Sequence, residues 1–299
     1  MSGLWIAATL IAAAAQTARN AAQSGLTRQI GTLGATQVRF VYGLPFAILF
    51  LALMVWATGE APPALTGASL AYTAMGALSQ IAATALMLVT MKQRSFAVTT
   101  AWIKTEPVMV ALLAALILGD PLTWPKLAAI LVATSGVVIL STKPETTRGM
   151  WRDLGPAATG LLAGLCFGIA AIGFRGGVLN LGDAGFLIRA STVLVVSLGI
   201  QCGVLLVWLM LRDRTALTAS FGVWRTSVWA GFLGAFASKF WFIGFALTSA
   251  ANVRTLALVE VTMALGVSAY VLGQPVTTRQ KIGIAVIVAG VGLLLGVQG

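Results

Sequence analysis

There is no histidine anywhere in the sequence, which removes the commonest metal ligand and the commonest general base at neutral pH. Cysteine is nearly as scarce. Cys166 and Cys202 both sit in apolar runs and read as small buried residues, not as a disulfide or a metal pair. Acidic residues number 8 against 19 basic ones, and charged residues together make up 9% of the chain, where a soluble domain carries about 25%. No Ser/Lys or paired-Asp arrangement, nucleotide-binding motif or ring-forming filter sequence is present. These absences argue against an intramembrane enzyme, an ATP-driven pump and a selective channel. No metal and no cofactor is expected.

What fills the chain instead is apolar: 59% of the residues are hydrophobic, more than a soluble core can hide. Runs of about 20 apolar residues span a bilayer as helices, because a helix satisfies its own backbone in lipid. Ten such runs fall near 3–24, 34–58, 66–90, 96–118, 123–141, 155–179, 185–211, 226–247, 253–272 and 278–297. The amino terminus lacks a basic n-region, so the first run reads as a retained helix and not a cleaved signal. The fold class expected is all-α: a polytopic membrane protein of ten transmembrane helices. A formal charge of +11 suggests no nucleic-acid partner, since the cations lie between apolar runs and not on one face.

The chain also says much the same thing twice. The segment from Glu106 to Thr123 returns from Glu260 to Thr277 without a gap, with Glu, Met, Gly, Pro and Thr recurring at an offset of 154 residues. An apolar run follows each copy. A polar stretch containing Lys143, Glu145, Arg148, Arg152 and Asp153 divides the runs into two sets of five. The expected domains are therefore 1–141 and 155–299, joined by a basic linker at 142–154. Five is odd, so the second set enters the membrane from the side opposite to the first, as in an inverted repeat.

Loop charge agrees with the inversion. Cations collect in loops 1–2 and 3–4 (Arg19, Arg28, Lys92, Arg94) and in loops 7–8 and 9–10 (Arg212, Arg214, Arg225, Arg279, Lys281). Loop 2–3 has only Glu60, and loop 4–5 has Asp120 with Lys126. Basic loops face the cytoplasm, which places the chain in a bacterial inner membrane with both termini periplasmic.

The pattern around the repeat resembles the EamA-type, ten-helix members of the drug/metabolite transporter superfamily. Its first copy reads Ser95-Phe96-Ala97, Thr105-Glu106-Pro107 and Leu118-Gly119-Asp120, then Thr134-Ser135-Gly136. The second reads Ser249-Ala250-Ala251, Glu260, Leu272-Gly273-Gln274, then Val288-Ala289-Gly290. Arg39-Phe40 and Arg189-Ala190 open the second run of each half in a similar way. The likeness covers essentially the whole chain. Val261 and Gln274 depart from the pattern by replacing a proline and an acidic residue, and the termini lack cations. The resemblance implies a secondary exporter of metabolites, amino acids among them.

An ionisable group inside a span costs a few kcal/mol on insertion scales, so each one needs a reason. Thr99, Trp102, Glu106 and Met109 share a helical face of the fourth run, at i, i+3, i+7 and i+10. Pro107 has no N–H, which frees the carbonyl of Ile103. Glu260, the repeat partner of Glu106, falls with Leu256 and Met263. Lys239 lies midway along the eighth run beside Trp241 and Phe242, and Gln80, Thr84 and Gln16 offer hydrogen bonds. Gln16, Gln80, Thr84, Thr99, Trp102, Glu106, Lys239, Trp241 and Glu260 are the candidate substrate-binding residues. Arg39, Pro107, Arg175 and Arg189 are structural or gating candidates, while Arg254 is expected to snorkel and Lys104 to turn away from Glu106. Gly160, Gly164 and Gly168 are spaced for close helix contact. Trp56, Trp151, Trp208 and Trp224 suit the membrane interface.

Trp and Met walls with both signs of charge suit a small amphipathic substrate, a zwitterion above all, with organic-cation efflux as the alternative. The partners expected are a small-molecule substrate and the lipid bilayer. Internal duplication makes a monomer self-sufficient.

Overall fold

The computed structural model describes residues 3–93, 101–141, 154–271 and 276–298, and every regular element among them is helical. The helices are α1 (Leu4–Val41), α2 (Gly43–Thr58), α3 (Gly67–Gln93), α4 (Glu106–Ile117), α5 (Trp124–Ser141), α6 (Leu154–Leu179), α7 (Phe186–Arg212), α8 (Arg214–Gly222), α9 (Trp224–Leu247), α10 (Ala250–Leu256), α11 (Val259–Val271) and α12 (Thr278–Gln298). Residues 101–103 form a further helical turn before α4.

Seven helical stretches are long and apolar enough to cross a membrane. The other three expected runs have identifiable reasons for falling short. The first carries Gln16, Thr17, Arg19 and Asn20 within α1. The fourth and ninth are broken, at Lys104-Thr105 and at Ala257-Leu258. The loop expected after the first run is a sharp break inside α1 at Gly31, whose φ of 72° is open to glycine and strained for other residues.

Two of the cations read as loop charges are buried in helices. Arg19 is buried on α1, and Lys126 is buried in the first turn of α5, so neither is a loop cation. The linker cations fall outside the described residues.

The chain divides into two compact units, and each draws helices from both halves of the sequence. Unit 1 comprises residues 1–78 and 173–248, holding α1, α2, the start of α3, the end of α6, and α7 to α9. Here α1 packs along α9, and α2 lies against both α7 and α9. Leu26, Ala35, Val38 and Ala230 form a buried cluster. α8 is a short amphipathic helix capped by Asp213, which accepts from the Ala216 amide at 3.0 Å and from Thr215 Oγ1 at 2.7 Å. Those two bonds, the hydroxyl first, hold the Asp213 carboxyl below its ordinary range. Gln37 of α1 docks α8 by donating to the carbonyl of Leu217 at 3.0 Å. Glu60, the one charge of loop 2–3, accepts from the Gly185 amide at 2.7 Å, at the start of α7.

Unit 2 comprises residues 79–172 and 249–299. Its tightest contact joins α5 to α12, the last helices of the two repeats. A Cβ added at Gly290 would lie 2.3 Å from the Ala133 amide nitrogen, and one at Gly136 would lie 2.7 Å from that of Ile287. The Gly160, Gly164 and Gly168 stripe on α6 makes the expected close contact: it faces Trp102, the Ile103 carbonyl and Val110 in turn. Repeat-equivalent helices thus pair within each unit, α2 on α7 in unit 1 and α5 on α12 in unit 2.

Candidate functional site

In unit 2 both copies of the repeated Glu stand at the start of a half-helix. Thr105 N–H bonds the Trp102 carbonyl at 3.3 Å, and Val108 N–H bonds Thr105 at 3.1 Å, a tightened turn that separates residues 101–103 from α4. Pro107 falls in the first turn of α4, where a missing N–H breaks nothing. The second copy has the same construction. Leu258 N–H bonds Thr255 at 3.1 Å and Glu260 N–H bonds Ala257 at 3.0 Å, separating α10 from α11. A carboxylate in the first turn of a helix is favoured by the exposed N–H groups there.

These breaks correct the expectation that Trp102 and Glu106 share one helical face, because the 3.6-residue register does not carry across Lys104-Thr105. Arg254, expected to snorkel, instead joins the site, while Lys104 meets Glu260 and not Glu106. Arg254 Nε lies 3.1 Å from Glu106 Oε1, an ion pair that is not aligned as a hydrogen bond. Lys104 Nζ donates to Glu260 Oε2 at 3.3 Å. Each broken segment therefore gives one Glu and one cation to the other repeat. Both Glu residues are 7% exposed, so each pair neutralises charge that the membrane interior would penalise.

A third cation, Lys126 of α5, donates to the Pro121 carbonyl and to Ser249 Oγ, both at 3.2 Å. Ser249 in turn caps α10 by accepting from the Asn252 amide at 3.3 Å. The Gly119-Asp120-Pro121 turn of the first repeat is thereby tied to the broken helix of the second. Trp102 is 1% exposed and packs with Ala101 and Ala157. Among the described residues its indole N–H has no hydrogen-bond partner. Thr84 bonds back to the Gln80 carbonyl at 2.8 Å within α3. Thr99 falls outside the described residues.

The remaining candidates lie in unit 1. Lys239 of α9 is buried and donates to Ser191 Oγ of α7, whose own proton goes to the Leu187 carbonyl. Trp241 Nε1 donates to Gln16 Oε1 at 3.2 Å, fixing α9 against α1. Arg175 donates to the carbonyls of Phe245, at 2.8 Å, and Thr248, so it caps the carboxyl end of α9. Arg189 donates to Gly182 at 3.4 Å. The Arg39 guanidinium lies 5.3 Å from the centroid of the Phe40 ring. No Asp or Glu occurs in any helix of unit 1.

The sequence reading left Arg254 and Lys104 outside the substrate-binding set and did not single out Lys126 or Ser191 as site residues. Charge balance could have found the first two: the two broken runs contain two acids and two cations, and each acid is best matched from the other repeat.

Buried charges on paired broken helices, in a duplicated apolar fold, define a multi-pass membrane transporter architecture. The model of the EamA-like transporter family matches residues 3–142 and again residues 156–296. The chain belongs to that family and has its two-repeat architecture. A solved crystal structure superposes with a TM-score of 0.67 over 98% of this chain and 97% of its own, at 13% identity, a likeness of fold. No curated protein matches the chain by sequence.

Proposed function

We propose that this protein is a secondary transporter that exports a small amphipathic metabolite, amino acids first among candidates, across the bacterial inner membrane. The carrying observation is the pair of repeat-related broken helices, each opening on a buried Glu matched by a cation of the other repeat. Discontinuous helices at equivalent positions of two inverted repeats are where such carriers hold their cargo. Alternating access would rock the repeats about that region, with the basic loops in the cytoplasm and the termini outside. The unit works as a monomer and needs no cofactor.

Organic-cation efflux, the competing reading, needs a carboxylate that faces the cargo. Both candidates are already matched, Glu106 by Arg254 and Glu260 by Lys104.

The test is counterflow in proteoliposomes of purified protein, loaded with one unlabelled amino acid and offered labelled amino acids in turn. Saturable accumulation of at least one is the expected result. Exchange of organic cations alone, with every amino acid inert, would sink the amino-acid reading and leave the family assignment intact.

A further inference from the structure

We infer that Lys239 is the seat of a substrate carboxylate, so that the carrier selects for the acid group of its cargo and is indifferent to the amine. The inference rests on the transport reading above and adds the charge of what is carried.

A lysine ammonium has three N–H groups. Lys239 is 6% exposed, and among the described residues Ser191 Oγ is its one hydrogen-bond partner. Ser191 spends its own proton on Leu187, so its oxygen is free to accept. Two donors of a buried cation remain, the number that a carboxylate takes with its two oxygens.

The counter-charge has to come from outside the unit's helices, since none of them contains Asp or Glu. An intramembrane cation with no opposing acid is costly, and a substrate carboxylate cancels that penalty only while it is bound. The acids in the described helices of unit 2, Glu106 and Glu260, each already stand beside a cation.

A second observation concerns the rest of the ligand. Along one side of α9, Trp229, Phe232, Phe236 and Phe240 form a continuous ladder, with successive ring centroids 6.0, 5.7 and 4.9 Å apart. Phe240, its last ring, follows Lys239 in sequence, and the ladder also meets Phe46 and Phe50 of α2. So aromatic a setting on the helix of Lys239 suits an acid with an aromatic or large apolar side chain.

The decisive experiment compares three molecules that share one side chain. Proteoliposomes of the full-length protein are loaded with phenylalanine, with phenyllactate, which lacks the amine, or with phenethylamine, which lacks the carboxylate. Labelled uptake of the same molecule is then followed. The expected result is exchange of phenyllactate within about tenfold of phenylalanine, and none of phenethylamine. Lys239→Met should lower acid exchange at least about tenfold, the effect of losing some 1.4 kcal/mol, with partial rescue by Lys239→Arg. The wild-type comparison stands even if a variant fails to fold.

Phenethylamine exchanging as fast as phenylalanine would overturn the inference while the transport reading stands. So would a folded Lys239→Met protein that exchanges acids at the wild-type rate, or inertness of both acids. Exchange of phenyllactate without phenylalanine, lost in Lys239→Met, would overturn the amino-acid reading and leave the carboxylate seat in place.

Discussion

Unit 2 buries two carboxylates and meets each with a cation from the other repeat, whereas the helices of unit 1 carry Arg19, Arg39, Arg175, Arg189 and Lys239 and no acid at all. Each unit draws on both repeats but on different helices of them, the second of each in unit 1 and the fourth and fifth of each in unit 2, so the contrast lies in which part of the repeat carries acids. Matched charges fix a geometry, because removing either partner strands the other. Cations that donate to carbonyls and hydroxyls, as Arg175 and Lys239 do, can hold helices together and still leave a positive field for a ligand. The duplication explains the acids of unit 2, since Glu106 and Glu260 are repeat-related. It does not explain their partners: the position 154 residues after Lys104 is Leu258, and the one 154 before Arg254 is Thr100.

The largest effect should come from breaking a matched pair. Glu106→Ala leaves the half-buried Arg254 without its carboxylate, and unpairing a buried ion pair costs about 3–5 kcal/mol. Thermal unfolding in detergent should show a large fall in Tm, mostly recovered in the double variant Glu106→Ala with Arg254→Met. If Glu106→Ala melts like the wild type, the pair contributes nothing and the contrast between the units fails.

Next comes the helix contact that shares unit 2 with those pairs. Gly290→Leu cannot be absorbed without parting α5 from α12, because even a Cβ would meet Ala133 backbone. Overpacking of this kind costs about 1–3 kcal/mol. A fall in Tm comparable to that of Glu106→Ala would mean that packing and charge hold unit 2 equally. A fall clearly smaller would assign the larger share to the ion pairs. Unchanged melting would refute the close contact itself.

How far the sequence could be read follows from the same residues. Apolar runs and the repeat are long-range statistical features, and they survive any local irregularity. They led to the fold class, the duplication and both Glu residues. The helix breaks were harder to see. Pro107 is equally compatible with a kinked helix and with the first turn of a new one, and Ala257-Leu258 has no breaker residue at all. A helical face drawn across Lys104-Thr105 fails for that reason, whereas Arg254 was placed by its nearness to a run's end. Lys126 and Arg19 were misread for a related reason: proximity to a run's end says loop, while burial depends on neighbours that are remote in sequence.

A smaller effect is expected at Lys126, which donates to the Pro121 carbonyl and the Ser249 hydroxyl in unit 2. Lys126→Met removes its hydrogen bonds to Pro121 and Ser249, but Ser249 keeps its cap on Asn252. A loss of about 1 kcal/mol, the net worth of an ordinary hydrogen bond, should appear as a modest fall in Tm. A fall as large as that of Glu106→Ala would place Lys126 among the charges whose matching the fold depends on.

Lys239 should show the least effect on stability of the four. Lys239→Met keeps an unbranched side chain of similar length and removes a buried cation that no helix of unit 1 opposes with an acid. Ser191 remains satisfied through Leu187, so no buried hydroxyl is stranded. Replacing buried charge by a packed apolar side chain is often neutral or stabilising, and the variant should melt at or slightly above the wild-type temperature in the absence of substrate. A drop of several degrees would make Lys239 a structural cation like Arg175. Unit 1 would then differ from unit 2 only in using oxygens where unit 2 uses carboxylates, and the carboxylate seat would lose its physical motive.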